Sequence, residues 1–168
     1  TLGSQVFAPT TAGHAESAFK MEKPADHVAL TKGATTGETF TFEGWVFPEQ
    51  TQSTQPQVLI AGAKSGVNAG GLSLLVVAQT RIRIDFGSGQ GDKFTSKSML
   101  TPNTWNHVAV TFDGTAFRFY IGGNLRDKID LAANDEKPPA KPVLFFGAAQ
   151  NSFKGILDEI RLWNRVRS

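Results

Sequence analysis

The chain has 168 residues, no cysteine and a formal net charge of +2 at pH 7. This length suits one domain that buries about 70% of the surface of its unfolded chain. Without cysteine, disulfide frameworks and cysteine-based zinc sites are excluded. The small positive surplus does not favour nucleic acid, and no apolar run is long enough to span a membrane. We therefore expect neither a nucleic-acid partner nor membrane insertion.

Residues 1–15 are predicted to be a linker or extended lead-in, because they are polar and interrupted by Pro and Gly. Residues 16–168 are predicted to form one domain of short strands joined by Gly-rich turns. No sustained 3.6-residue apolar period occurs, which favours an antiparallel β-sandwich over a helical fold. The predicted strands are residues 17–22, 26–31, 38–47, 57–63, 71–78, 81–87, 105–112, 116–121, 125–131, 142–147 and 153–163.

Two kinds of strand are predicted from the spacing of apolar residues. Residues 72–77 are almost continuously apolar, so we expect this strand to be covered on both sides. Residues 81–86 alternate, with the apolar side chains turned inward and the polar ones outward. The inward set is Ile82, Ile84 and Phe86, and the outward set is Arg81, Arg83 and Asp85. The phenylalanines are predicted to fill the interior.

The clearest element is a hairpin across Asp113-Gly114. Residues 105–112 and 116–121 both alternate, and the second strand ends on Gly122-Gly123. Asp-Gly and Gly-Gly supply the positive φ angles that tight hairpin turns require, so the register is well specified.

This hairpin resembles the central hairpin of laminin-G-like domains, which have the concanavalin A-type jelly-roll fold. Residues 40–48 are similar to the family's early strand that ends on Pro, and residues 153–168 are similar to its closing strand. A weaker segment, 18–30, lies where the family has its first strand pair. The resemblance covers roughly residues 16–168 and implies an all-β, two-sheet antiparallel β-sandwich.

Catalysis is not expected. Retaining β-glucanases of this superfamily carry acidic residues at alternate positions on one strand, which places the two carboxyl groups about 5–5.5 Å apart. Neither Glu-x-Asp-x-Glu nor Glu-x-Asp-x-x-Glu occurs, and Asp85 follows two arginines without an acidic partner on its strand. Gly-x-Ser-x-Gly is also absent. The three histidines are interpreted as structural at His107 and His27 and as mobile at His14.

The resemblance implies a structural calcium ion as a cofactor, since jelly-roll domains of this superfamily often hold Ca²⁺ near the meeting point of the first and last strands. Calcium takes oxygen ligands from carboxylates and backbone carbonyls. By position, Asp158 would supply the carboxylate, Gly44 a carbonyl, and Glu16 and Ser17 a carbonyl or side chain. The alternative is that acidic residues here pair with basic cross-strand neighbours: Asp158 or Glu159 with Arg161 or Lys154, and Glu43 with Arg161.

Sugar recognition needs a polar groove and an aromatic platform. The three tryptophans, Trp45, Trp105 and Trp163, occupy positions that predict the core or its edge. Tyr120 shares a strand face with Arg118, and further polar residues lie in Gly-rich loops that could rim one end of the sandwich. The candidate ligand-binding residues are Arg83, Asp85, Arg118, Tyr120, Asn68, Gln90 and Asp92.

The predicted function is that of a non-catalytic recognition or adhesion module of a larger extracellular protein, secreted or at the cell surface. Its expected partner is a glycan or a cell-surface protein, with further domains of a parent polypeptide alongside. The alternative is a structural or assembly domain of a larger secreted particle or toxin with no small ligand. An exposed Trp163 or Tyr120 beside Arg83 and Asp85 would favour recognition.

Overall fold

The computed structural model describes residues 10–14, 17–23, 26–29, 37–49, 55–61, 71–78, 80–87, 91–139, 145–147 and 151–167. These ranges contain strands β1 (Thr10–Ala12), β2 (Ser17–Met21), β3 (His27–Ala29), β4 (Phe40–Pro48), β5 (Gln57–Ala61), β6 (Ser73–Val77), β7 (Arg81–Asp85), β8 (Thr95–Met99), β9 (Asn106–Phe112), β10 (Ala116–Ile121), β11 (Asn124–Asp130), β12 (Phe145–Gly147) and β13 (Gly155–Trp163). A short 3-10 helix, Gly91–Phe94, precedes β8. No helix in this part of the chain has the length and apolar character of a membrane span.

The strands form two antiparallel sheets. Sheet I has seven strands in the order β1-β2-β13-β4-β9-β10-β11, and sheet II has six in the order β3-β12-β5-β6-β7-β8. The predicted two-sheet antiparallel sandwich is confirmed, and each predicted strand has a counterpart among the described residues. Residues 10–12, predicted within an extended lead-in, pair with β2 at the edge of sheet I.

Strand β8 is absent from the sequence prediction because Thr95–Met99 shows no apolar alternation. Contacts with β11, which is distant in sequence, hold it in place. The Ser96 hydroxyl donates to Asp127 Oδ2 at 2.6 Å, and the backbone N–H of Ser98 donates to the same oxygen at 3.1 Å. These bonds join the outer strand of sheet II to the outer strand of sheet I and close one side of the sandwich.

Phenylalanine rings fill much of the space between the sheets, as predicted. Phe117 has no exposed surface. Its ring centroid lies 4.6–6.4 Å from those of four other phenylalanines: Phe40, Phe86, Phe94 and Phe112. Phe47 departs from the prediction, because it lies on the outward side of β4 and packs edge-on against Trp105.

The outer face of sheet II is also covered. Leu75 is fully buried there, which confirms the prediction that the strand at 72–77 is covered on both sides. The prediction that Arg83 and Asp85 face solvent is wrong. Asp85 is 2% exposed, and its Oδ2 accepts a hydrogen bond from Arg83 Nη2 at 2.6 Å. Arg83 lies opposite Leu75 in the ladder, so the ion pair has a buried apolar side chain as its cross-strand neighbour.

Replacing Phe117 with alanine should remove the ring at the centre of the core and leave a cavity. We expect the free energy of unfolding to fall by about 3–5 kcal/mol, measured by urea denaturation. The control is Leu125→Ala, which removes an apolar side chain that is 54% exposed and should change stability by about 0.5 kcal/mol or less. Equal losses in the two variants would contradict this description of the core.

Candidate functional site

A polar depression lies at the centre of the outer face of sheet I. Its volume is about 220 Å³, and it is lined by Thr41, Glu43, His107, Ala109, Thr111, Tyr120, Gly123 and Arg167. The ladder explains its shape. Ala109 on β9 pairs with Glu43 on β4 and with Tyr120 on β10, so a methyl group lies between two larger side chains. We call this site the sheet I depression.

Glu43 supplies the carboxylate of the depression. Its Oε1 accepts a hydrogen bond from Trp163 Nε1 at 3.0 Å and another from Arg167 Nη1 at 3.1 Å. Both donors bind the same oxygen, and no hydrogen bond from a described residue reaches Oε2. The two donors therefore orient the carboxylate and leave one oxygen as an acceptor for a hydroxyl group.

Thr41 positions the C-terminal arm, residues 164–167, beside the depression. Its hydroxyl donates to the Arg165 carbonyl at 2.9 Å and accepts from the Arg167 backbone N–H at 2.9 Å. Thr41 is 1% exposed, so these bonds are shielded from water. They place the Arg167 guanidinium 4.3 Å from the centre of the Trp163 ring as well as on Glu43.

Thr111 adds a second polar group without a partner. It is 2% exposed and lines the depression, yet its Oγ1 has no hydrogen-bond partner among the described residues. Buried polar atoms usually have a partner, because an unpaired one loses its hydration without compensation. This oxygen is closed to solvent in the unliganded structure, so a bound hydroxyl group could supply the missing hydrogen bond only if neighbouring atoms move aside.

An aromatic cluster, consisting of His14, Trp45, Phe47, Trp105 and His107, adjoins the depression. The His14 ring stacks on Trp45 with centroids 3.7 Å apart and planes inclined by 12°. Trp105 meets His14 edge-on at 5.9 Å, and the His107 ring, which also lines the depression, lies 5.3 Å from Trp45. The cluster and the depression are therefore continuous through His107.

The outward-facing aromatic residues of sheet I bear on three predictions. Trp45, Trp105 and Trp163 are half-buried on the outside of sheet I and do not pack in the core. His14 stacks on Trp45, and its mobility stays a prediction. His107 is half-buried as expected, but it borders the depression. Strand alternation on β4 explains the position of Trp45. Phe42 and Val46 point into the core, so Trp45, which directly precedes Val46, points away from it.

The structure does not bring the predicted ligand-binding residues together. Tyr120 lines the depression, and Arg118 lies two residues along the same strand, where its guanidinium is bonded to Asp113. Arg83 and Asp85 lie on sheet II, on the opposite side of the sandwich. Asn68 and Gln90 lie outside the described residues, and Asp92 belongs to the 3-10 helix, where its backbone alone is described.

Asp158, the predicted calcium ligand, lies on β13 opposite Trp45. This position is near the first strands, as the prediction requires. Its Oδ2 accepts from the His14 backbone N–H at 2.7 Å, and its Oδ1 accepts from the Glu159 N–H at 2.8 Å. No group of three or more His, Asp or Glu side chains suited to a metal occurs among the described residues. Gly44 packs against β13 and Ser17 begins β2, whereas Glu16 lies outside the described residues. Calcium at this position stays a prediction.

Glu43 and Arg161, predicted as a possible cross-strand ion pair, each pair with another residue. Arg161 lies opposite Glu43 in the ladder, but its guanidinium contacts Glu159 at 3.1 Å. Glu43 pairs instead with Arg167, six residues further along the chain than Arg161. The Glu43–Arg161 alternative is therefore wrong, and the Glu159–Arg161 pair is confirmed.

Residues 22–168 match the model of a laminin-G family in the concanavalin A-like lectin/glucanases superfamily. The chain belongs to this family. The resemblance carried by the hairpin and the two flanking strands is thus confirmed. A search of curated protein sequences found no match.

Solved structures share the fold at low sequence identity. Domain 4 of AbnA, an extracellular GH43 arabinanase from Geobacillus stearothermophilus in complex with arabinotriose, has a TM-score of 0.70 and 20% identity, covering 96% of this chain and 77% of that one. The ligand-binding domain of botulinum neurotoxin serotype D in complex with N-acetylneuraminic acid has a TM-score of 0.67 and 17% identity, covering 98% and 43%. A putative carbohydrate-binding protein from Bacteroides ovatus has a TM-score of 0.60 and 16% identity, covering 81% and 40%. This laminin-G family domain spans less than half of the last two chains.

The bond between Arg118 and Asp113 predicts a pH dependence of stability. The Arg118 guanidinium, together with the Thr115 hydroxyl, holds the pKa of Asp113 well below its usual range. Because the folded pKa is the lower one, this carboxylate stabilises the fold above the unfolded pKa of about 4, and the contribution is lost as pH falls through the folded value. At pH 7, Asp113→Asn should therefore melt at a lower temperature than wild type. Its melting temperature should also fall less than that of wild type between about pH 5 and pH 2.

Thermal melts across that pH range measure the difference. The control is Asp130→Asn, because Asp130 also forms an ion pair, with Lys128 on the same strand, but has a side chain that is 66% exposed. Parallel pH profiles for wild type and Asp113→Asn would contradict the assignment.

Proposed function

We propose that this domain is a non-catalytic glycan-binding module and that the sheet I depression is its binding site. The observation that carries the proposal is the pairing of an oriented carboxylate oxygen, Glu43 Oε2, with the unpartnered hydroxyl of Thr111 in one depression. A sugar carries adjacent hydroxyl groups, each of which can donate and accept. One such hydroxyl can donate to Glu43 while its neighbour bonds with Thr111.

The charges in the depression favour a neutral sugar over an acidic one. Glu43 and Arg167 are paired with each other at 3.1 Å, so the site has little net charge. The free oxygen of Glu43 would repel the carboxylate of an acidic sugar. Tyr120 offers an apolar ring edge or face to the C–H groups of the sugar. Fold neighbours were solved with arabinotriose, which is neutral, and with N-acetylneuraminic acid, which is acidic, so they support a glycan ligand, and the choice of a neutral one rests on Glu43.

The absence of catalysis is part of the proposal. Glycosidases use two carboxyl groups, about 5–5.5 Å apart in retaining enzymes and about 6.5–9.5 Å apart in inverting ones. Glu43 is the only acidic residue that lines the depression within the described part of the chain. Its Oε1 is bonded to an arginine and an indole, an arrangement that suits hydroxyl recognition.

We also propose that the module belongs to a larger secreted or cell-surface protein. Fold neighbours that are parts of an extracellular arabinanase and of a toxin support this location. The glycan would then tether the parent protein to a polysaccharide or a cell surface.

The proposal predicts the effect of two nearly isosteric changes. Glu43→Gln should weaken binding of arabinotriose by about tenfold or more, because a hydrogen bond to a charged group is worth about 1.5–3 kcal/mol. Thr111→Val, which removes the unpartnered hydroxyl, should weaken binding several-fold. Isothermal titration with arabinotriose and with N-acetylneuraminic acid measures both effects, and wild type should prefer arabinotriose.

The matched control is Glu22→Gln, which removes an exposed carboxylate after β2. It should bind like wild type. Wild-type affinity in Glu43→Gln, or a preference for the acidic sugar, would contradict the proposed site.

Calcium at Asp158 remains a separate proposal, supported by the position of this carboxylate on β13 beside the first strands and by the preference of calcium for carboxylate oxygens. If calcium binds there, EDTA should lower the melting temperature by several degrees, and Asp158→Ala should abolish that sensitivity. If wild type melts at the same temperature in EDTA and in excess Ca²⁺, the calcium proposal is contradicted.

A further inference from the structure

The Trp45 ring is covered by a flat ring from the same chain. His14 lies parallel to it at a centroid distance of 3.7 Å. A sugar ring can occupy such a position on an indole, with its C–H groups against the π face. Trp163 cannot offer the same surface, because the guanidinium groups of Arg165 and Arg167 lie over it at 5.8 and 4.3 Å.

The His14 ring is held by stacking, while its backbone is anchored. The His14 N–H donates to Asp158 Oδ2 at 2.7 Å, which fixes the turn between β1 and β2. The side chain is exposed and makes no hydrogen bond to a described residue. Rotation about the side-chain bonds can therefore move the ring off Trp45 without breaking the backbone anchor.

Trp45 lies one step from the depression along the same strand. Glu43 and Trp45 are two residues apart on β4, a rise of about 6.6 Å, which is comparable to the length of one sugar unit. His107 contacts both places, because it lines the depression and its ring lies 5.3 Å from Trp45. Trp105 forms a wall on the far side, edge-on to His14 at 5.9 Å.

We propose that Trp45 is a second subsite, which binds the next ring of a neutral oligosaccharide held in the sheet I depression, and that the His14 ring occupies this subsite when no glycan is bound. The inference rests on the proposed function, because the first ring must bind at Glu43. It adds a chain-length preference: a monosaccharide uses the depression alone, whereas a trisaccharide must displace His14 to reach Trp45. Displacement reduces the apparent affinity for the longer ligand.

Titrations with L-arabinose and arabinotriose test the subsite. His14→Ala should bind arabinotriose about 2- to 10-fold more tightly than wild type, the gain expected from removing one stacked ring, and should bind arabinose unchanged. His14→Phe retains a flat ring and should resemble wild type. Trp45→Ala should bind arabinotriose no better than arabinose.

The control is Ser17→Ala, an exposed position in the same hairpin, which should change neither affinity. Unchanged or weaker arabinotriose binding in His14→Ala, with normal binding in wild type, would overturn the subsite and leave the depression intact. Failure of wild type to bind either sugar would overturn the proposed function and the subsite with it. Glu43→Gln distinguishes the two sites, because it should weaken both sugars, whereas Trp45→Ala should affect the trisaccharide alone.

Discussion

The pairing of β13 with β4 is the constraint on which the rest of the structure depends. β13 lies between β2 and β4, so it joins the first strands of the chain to the centre of sheet I. An irregularity between Asp158 and Arg161, with Glu159 at φ 49°, shifts the ladder there. Beyond it, Trp163 lies opposite Thr41, and the chain continues into the C-terminal arm. Both ends of the chain thereby reach one face: His14 through Asp158, and Arg167 through Thr41.

The two outer faces of the sandwich have different uses. On sheet II, Leu75 and Asp85 are buried on the outward side, and Asp85 is bonded to Arg83, whose side chain is 12% exposed. A ligand cannot reach such a pair without opening the structure, so its role is structural. On sheet I, the outward Glu43 borders the depression, and the outward Trp45 is half-buried beneath the His14 ring. Burial of Phe42 and Val46 on the other side holds them there, so the core fixes the geometry of the site.

Features that depend on residues close in sequence could be predicted, and features that depend on contacts between distant residues could not. The hairpin at 105–123 is local, and its turn residues and alternation predict it fully. Alternation also places Glu43 and Trp45 on one face, a signal that could have identified the site, but interpreting Trp45 as part of the core or its edge concealed it. The contact of Glu43 with Arg167 spans 124 residues and depends on the β13 register, which no local pattern specifies. The burial of Asp85 depends on what covers the outer face of sheet II. Strand alternation shows which face a side chain occupies, but not whether that face is exposed to solvent.

The two parts of the sheet I surface differ in how much they must change when a ligand binds. Glu43 is already oriented by two donors on one oxygen, so this part of the depression needs little reorganisation. Preorganisation of this kind reduces the entropy lost on binding. Trp45, in contrast, would expose an apolar ring face if it were bare, and His14 covers that face. Covering it protects the unliganded surface but makes every ligand that reaches Trp45 compete with the imidazole. Selectivity for chain length would then arise from a side chain that contacts no sugar, since its displacement opposes only the ligands long enough to reach Trp45.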